Sequence, residues 1–432
     1  MLAGPSFQFE SSVLLAACLG GGSSQVAADP AGDPGLVERL SSVPDPRGRQ
    51  GRRYELATLL ALGVCAMSAA GHDSVTAIAE WGRRAGDEVL ARLGAPFDPM
   101  AGRYQCPDDK TLRDAYAKVD ASALAKAGFA ALAHLTADTA KTPTTPDGLP
   151  EREQRRAARR EADTPRRPRR RSAFAVDGKC QRGAKRSDGS QPYVISAVRH
   201  HDAVTAAARQ IPAKTNEIPT FAPLLDDIDD TEMTDAVVTM DALHAQRDHA
   251  VYLVDKRRAH YLVTVKGNQP TLSAQLRTLP WREVPVVHRS FDVGHGREEL
   301  RELQVVGVDD LLFPHAKQVL RITRRRRALG ARKWSKEAVY AITDLAFHQA
   351  TAAELAGWAR GHWTIENSVH WIRDVTFGED AHQARTGNTP AILAGLRDIV
   401  RGALRTAGWA NTAAARRAHL VPTAALTLHG IP

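Results

Sequence analysis

The chain has 432 residues, 43% of them apolar, enough for two or three domains with ordinary cores, which excludes a disordered or fibrous protein. Its net charge of +9, with arginine well ahead of lysine, points to phosphate-bearing partners but does not separate DNA from RNA. Four scattered cysteines, Cys18, Cys65, Cys106 and Cys180, form no CxxC pair. They argue against a zinc ribbon or a disulfide framework and for a reducing, cytoplasmic setting.

Residues 1–35 open with a short apolar run ending in LAAC at Cys18, but the preceding stretch carries no Lys or Arg. A secretory signal needs that positive region, so the segment reads as a poorly ordered leader. No run approaches the roughly 20 apolar residues of a membrane span. Residues 36–141 show helical periodicity throughout: a short helix, a Pro-Arg-Gly turn, a strongly apolar helix near Tyr54 to Ala69, another near Ser74 to Arg84, and a third region in which Leu112, Tyr116 and Val119 recur at helical spacing. The expectation is a separate all-α N-terminal domain. Arg47, Arg49, Arg52 and Arg53 in its entry loop are candidates to grip DNA phosphates, since guanidinium forks match phosphate oxygens; a solvated loop is the plainer reading.

Residues 142–171 turn rich in Pro and Thr and then in Arg, a composition that buries no core and reads as a basic linker or an electrostatic clamp on a nucleic-acid backbone. After Arg171 the pattern becomes α/β. SAFAVDGK, QPYVISAVRH and AVTAAARQI read as three strands joined by tight turns, EIPTFAPLLDDI as a helix, AVVTMDAL as a buried strand, HAQRDHAVYLVDKR as a helix and AHYLVTVKGN as a further strand. Strands first in succession and then alternating with helices predict a mixed sheet with helices on its faces, over residues 172–405. From about 269 to 336 the alternation lapses into β-like runs around a Gly-His-Gly turn and a second arginine cluster, which reads as an inserted β-containing segment. EAVYAITDL resumes the sheet, a long helix follows from Ala352, TPAILAGLRDIVRGALRTAG is amphipathic, and residues 406–432 form an alanine-rich tail.

Two acids stand at the carboxyl ends of apolar strands, Asp177 and Asp241, where open α/β sheets bind ligands. Asp177 is also half of an Asp-Gly turn pair, and Asp241 is also placed to cap the helical run that follows it. On the late helix, His362, Glu366, His370 and Arg373 follow at i+4, i+4 and i+3 and so share a helical stripe. Glu366 competes there with Asp374, Glu379 and Asp380. Three converging carboxylates would suit Mg2+, with Mn2+ as a substitute, because hard oxygens leave the ion its waters and room for substrate phosphates. Lys179, Lys266, Asn268 and Gln269 are placed to contact DNA or brace the acids, His244 to brace Asp241, and Trp363 and Trp371 read as core packing.

FAVDGK, KTNEIPTFAPLL, VVTMDALHAQ, HYLVTVKGNQPTL, GHGREELRE and RGHWTIENSVHWIRDVTFGED together resemble the ISAs1 family of bacterial insertion-sequence transposases, within the IS4-type DDE group. VPDPRGRQGRRYELATLLALGVCAMSAAGHDSVTAIAEWG resembles the domain that precedes the catalytic core there. The likeness spans about residues 36–405 and rests on several motifs in the same order. It implies an RNase H-like core with Asp177, Asp241 and Glu366 as the metal-binding triad, 64 and then 125 positions apart. It implies cleavage of element ends in double-stranded DNA, transfer of the freed 3′-hydroxyls to target DNA, and a homodimer on DNA. The wider group carries Tyr, Arg, Glu and Lys where this chain has Ala359, His362, Glu366 and Arg373, so Arg360 stands as a substitute phosphate contact beside His362 and Arg373. A transposase-derived DNA-binding protein without catalysis, or a standalone nuclease, would share most of these features.

Overall fold

The computed structural model describes residues 35–141, 171–186, 189–211 and 217–432, without the side chains of residue 51 and residues 133–141. The expected leader and nearly all of the basic linker lie outside the described residues.

Helix α2 (Leu56–Ser68) explains the N-terminal third. It is apolar all round, and all 13 of its residues are buried, as a helix without a polar face must be. Around it lie α1 (Leu36–Leu40), α3 (Val75–Arg84), α4 (Asp87–Arg92), α5 (Asp109–Tyr116) and α6 (Ala121–Lys141). Side-chain oxygens of Ser74 and Asp108 accept from backbone N–H groups to cap α3 and α5. These helices do not form a body apart, as the sequence suggested. Their core is continuous with Ile392, Leu396, Ile399 and Val400 of α9 (Thr389–Thr406), with Ala415 of α10 (Thr412–Ala418) and with Leu426 of α11 (Pro422–Leu428). Residues 35–432 accordingly make one compact unit. Close approach of α6 and α9 depends on missing side chains: a Cβ on Gly128 would sit 2.5 Å from Ile399 Cγ1, and one on Gly402 would sit 2.4 Å from Leu132 Cδ1. The alanine-rich tail therefore has a defined role. Arg416 of α10 donates to the carbonyls of Met67 and Ala69 at the C-terminal end of α2 and pairs with Asp73 at 2.6 Å.

Among the described residues the principal sheet has nine strands: β1 (Ala173–Cys180), β2 (Tyr193–Arg199), β3 (Thr205–Ile211), β4 (Val237–Met240), β5 (His260–Val265), β6 (His288–Gly294), β7 (Arg297–Gly307), β8 (Gln318–Ala328) and β9 (Ser335–Thr343). Their spatial order is β3-β2-β1-β4-β5-β9-β8-β7-β6. β1, β2 and β3 pair antiparallel, β4 and β5 run parallel to β1, and β9 returns antiparallel to β5. The segment read as an insertion is thus part of this sheet. Tyr340 to Thr343 of β9 pair with β5, and β8, β7 and β6 extend the sheet outward antiparallel.

β1 and β4 are buried on both faces. Phe174, Val176, Val238 and Met240 pack against Phe221, Leu224 and Leu225 of α7 (Glu217–Asp226) on one side. On the other, Ala173 and Val237 meet Leu355 and Trp358 of α8 (Ala352–Gly361), and Ala175 meets Ile365 and Val369 just beyond it. Continuous apolar runs are what strands covered on both faces require.

Candidate active site

The two aspartates owe their proximity to strand register. β1 and β4 pair in parallel up to Val176 opposite Met240, and the next residue in each case is the acid: Asp241 just beyond β4, and Asp177 within β1, which runs on to Cys180 against β2 rather than ending at the acid as expected. Asp241 also caps the turn Ala242–His244, its Oδ1 accepting from Leu243 N at 2.9 Å and His244 N at 3.4 Å. That turn is braced from the end of β5, where Asn268 donates to Ala242 O at 2.5 Å and Gln269 to Ala245 O at 2.8 Å. Burial, followed by repulsion from Asp241, pushes the Asp177 carboxyl up to about 7. Two carboxylates held together without a counter-charge form a site that a cation stabilises.

The helical segment after α8 lies across these strand ends and is tied to both. His362 Nδ1 is 3.2 Å from Thr239 Oγ1, two residues before Asp241. His370 Nδ1 is 3.7 Å from Asp177 Oδ2. Burial holds both imidazoles neutral, His362 at about 4 and His370 at about 3, the latter helped by the charges of Arg373 and Lys179. His362 therefore brings no positive charge to the site.

Glu366 sits between these histidines in sequence, but its side chain is exposed while His370 and Arg373 are buried. The expected shared stripe is broken because residues Glu366–His370 and Ile372–Thr376 are π-helical, and i→i+5 turns are wider than the 3.6-residue period. Among the described residues no hydrogen bond or ion pair joins Glu366 to either aspartate, and no three His, Cys, Asp or Glu side chains are arranged to enclose a metal ion.

The basic candidates divide by burial. Arg373 is fully buried, its Nε and Nη2 donating to Glu379 at 2.8 and 2.7 Å, and Arg397 reaches the same carboxylate at 3.0 Å. Burial alone would raise the Glu379 pKa; Arg373 and Arg397 override it and pull it down to about 2. Lys179 is buried against Asp374, 2.6 Å away. Arg47 is buried between Asp45 and the carbonyl of Tyr54, and Arg52, though exposed, is tied down by donating to the carbonyls of Arg47 and Asp45. These side chains brace the protein. Arg49, Arg53 and Lys266 are exposed, and Arg360 is half exposed with one bond to Asp292 at 3.0 Å. Trp363 and Trp371, expected in a core, are 52% and 57% exposed. They lie on the solvent side of the π-helical segment, whose inner side is filled by Ile365 and Val369.

One group at the site was not singled out by its sequence context. Glu217, the first residue of α7, is 2% exposed, lies against Gly178 and is 3.6 Å from His244 Nε2. The only signal was its place in the KTNEIPTFAPLL motif.

Residues 168–397 match the family described as the transposase DDE domain, and residues 37–130 match the family described as DDE_Tnp_1-associated. The chain belongs to the transposase DDE domain family. It is 27% identical over 385 residues to a protein of Escherichia coli O157:H7 named "Putative transposase YncI", covering 86% of this chain and 87% of that one. It is 30% identical over 241 residues to "H repeat-associated putative transposase YhhI" of Escherichia coli strain K12, covering 52% of this chain and 62% of the relative. A piggyBac transposase synaptic complex with hairpin DNA aligns over 86% of this chain and 80% of that one, at a TM-score of 0.35 and 11% identity, too distant to bear on the fold. Among the described residues this transposase has no helix long and apolar enough to cross a membrane.

The DDE family implies a divalent metal ion. The pair Asp177 and Asp241 fits one: both donors are hard oxygens one residue past the paired stretch of β1 and β4, and their mutual repulsion is relieved by a hard cation.

Proposed function

We propose that this transposase is an ISAs1-type enzyme that cleaves insertion-sequence ends and joins the 3′-hydroxyl strands to target DNA, with Asp177, Asp241 and Glu366 as its acids. The observation that carries the reading is the register of β1 and β4, which brings Asp177 and Asp241 together beneath the segment bearing Glu366. The order of β1 to β5, three antiparallel strands followed by two parallel ones, supports an RNase H-like core.

Asp177 and Asp241 would hold Mg2+ or Mn2+, with Glu366 completing the set from the π-helical segment. The bound ions would supply an activated water or 3′-hydroxyl and charge neutralisation at the leaving oxygen. The chain's own part is positional. Asn268 and Gln269 fix the turn behind Asp241, the neutral His362 and His370 seat the helical segment on the strand ends, and Lys179 ties β1 to the same segment through Asp374. Exposed Arg49, Arg53, Lys266 and Arg360 are the proposed DNA contacts, as phosphate-binding cations. The protein acts in the cytoplasm as a homodimer, because two element ends must be cut together.

The test is cleavage and strand transfer on DNA carrying the flanking inverted repeats, with Asp177→Asn, Asp241→Asn and Glu366→Gln. Each variant should lose both reactions while retaining DNA binding. Wild-type cleavage by Glu366→Gln removes that residue from the set. Wild-type protein that binds the repeats without cutting is a DNA-binding derivative, and one that cuts without joining is a nuclease.

A further inference from the structure

Behind the aspartates lies a buried polar cluster that the proposed reaction does not use. Glu217 is 2% exposed and His244 is 1% exposed. Glu217 Oε1 and both ring nitrogens of His244 have no hydrogen-bond partner. Glu217 Oε2 and His244 Nε2 are 3.6 Å apart, too far for a good hydrogen bond. Phe221 stacks on His249 at 4.0 Å between ring centroids and closes the far side, while burial and the neighbouring His244 hold His249 at about 4, neutral at physiological pH. The Glu217 carboxylate lies directly on the backbone of the residue after Asp177: a Cβ on Gly178 would be 2.3 Å from Oε1 and 2.8 Å from Oε2.

A buried carboxylate oxygen that accepts nothing destabilises the fold. Its retention beside Asp177 and Asp241 needs a reason beyond packing. We infer that Glu217 is a positioning residue that strengthens divalent-cation binding by the two aspartates from the opposite face of β1, through a carboxyl group held against Gly178, the residue after Asp177. Groups that orient or support metal ligands in this way commonly change affinity 10- to 100-fold. Gly178 has a matching role, since any side chain there would displace the Glu217 carboxylate.

The inference rests on the proposed metal-dependent reading, and the experiment separates the two. Mn2+ binding to the full-length chain is measured by electron paramagnetic resonance, with Tm recorded for each variant. Glu217→Gln should weaken Mn2+ binding about tenfold or more, Glu217→Asp should recover part of the loss, and Asp177→Asn should abolish binding. Wild-type affinity in Glu217→Gln together with lost binding in Asp177→Asn overturns the role of Glu217 and leaves the proposed function standing. Wild-type affinity in Asp177→Asn overturns both. Should Glu217→Gln not fold, Gly178→Ala decides, because it pushes the carboxylate aside with every charge kept. Weakened binding there supports the role, and unchanged affinity overturns it.

Discussion

Replacing Glu379 with Gln tests whether the buried charge network holds the Glu366-bearing segment to α9. The substitution keeps the shape of the side chain but removes the charge facing Arg373 and Arg397, and turns one acceptor into an NH2 group aimed at guanidinium N–H donors. Beyond the one amide oxygen that remains, Arg373 has Asp398 at 3.6 Å and Arg397 the carbonyl of Asp73 among the described residues. Removing one partner from a buried ion network costs roughly 3–5 kcal/mol. Titration gives a second estimate. A carboxyl held at about 2 against an ordinary 4.5 contributes roughly 3 kcal/mol at neutral pH. The folded pKa is depressed, so this contribution is complete above 4.5 and fades as pH falls towards 2. Urea unfolding of wild type and Glu379→Gln should therefore differ by roughly 3 kcal/mol at neutral pH and by about 2 near pH 3.5. A difference under about 1 kcal/mol at neutral pH, or one that does not shrink on acidification, refutes the reasoning.

His429 is buried with Ser68 Oγ 2.8 Å away, and burial lowers its pKa to about 3. Its unfolded form takes up a proton below about 6.5, so each pH unit below that should remove up to about 1.4 kcal/mol of stability. His429→Gln should flatten that part of the stability-against-pH curve, measured by denaturant titration. Gly402→Val places a branched side chain against Leu132 and should lower stability by about 1–3 kcal/mol through overpacking; an unchanged Tm would show that α6 and α9 can move apart. Chelation should stop DNA cleavage while leaving DNA binding intact, and added Mg2+ or Mn2+ should restore it; cleavage that persists in chelator sinks the metal-dependent reading.

The strands carrying Asp177 and leading to Asp241 were legible because apolar runs are a local feature, although β1 runs three residues past Asp177 to Cys180 where the sequence suggested an end. Register did the rest, since parallel pairing of Val176 with Met240 sets the next residues side by side. The stripe of His362, Glu366, His370 and Arg373 was only half legible. A regular helical period cannot foresee two π-helical turns. Arginines and lysines misled for a different reason. Arg47, Lys179 and Arg373 look like free cations in sequence, but their partners Asp45, Asp374 and Glu379 become visible only once burial is known. Glu217 was hidden because its neighbours Gly178 and His244 come from two other elements of the fold.

The union of α2 with α9, α10 and α11 constrains how this protein is made. The ribosome delivers Leu56–Ser68 early, and the helices that finish burying it emerge only after every strand of the sheet has been synthesised. Until then a wholly apolar helix waits for its cover, a state that invites chaperones and aggregation. A chain cut short within the last helices is left with an open core around α2.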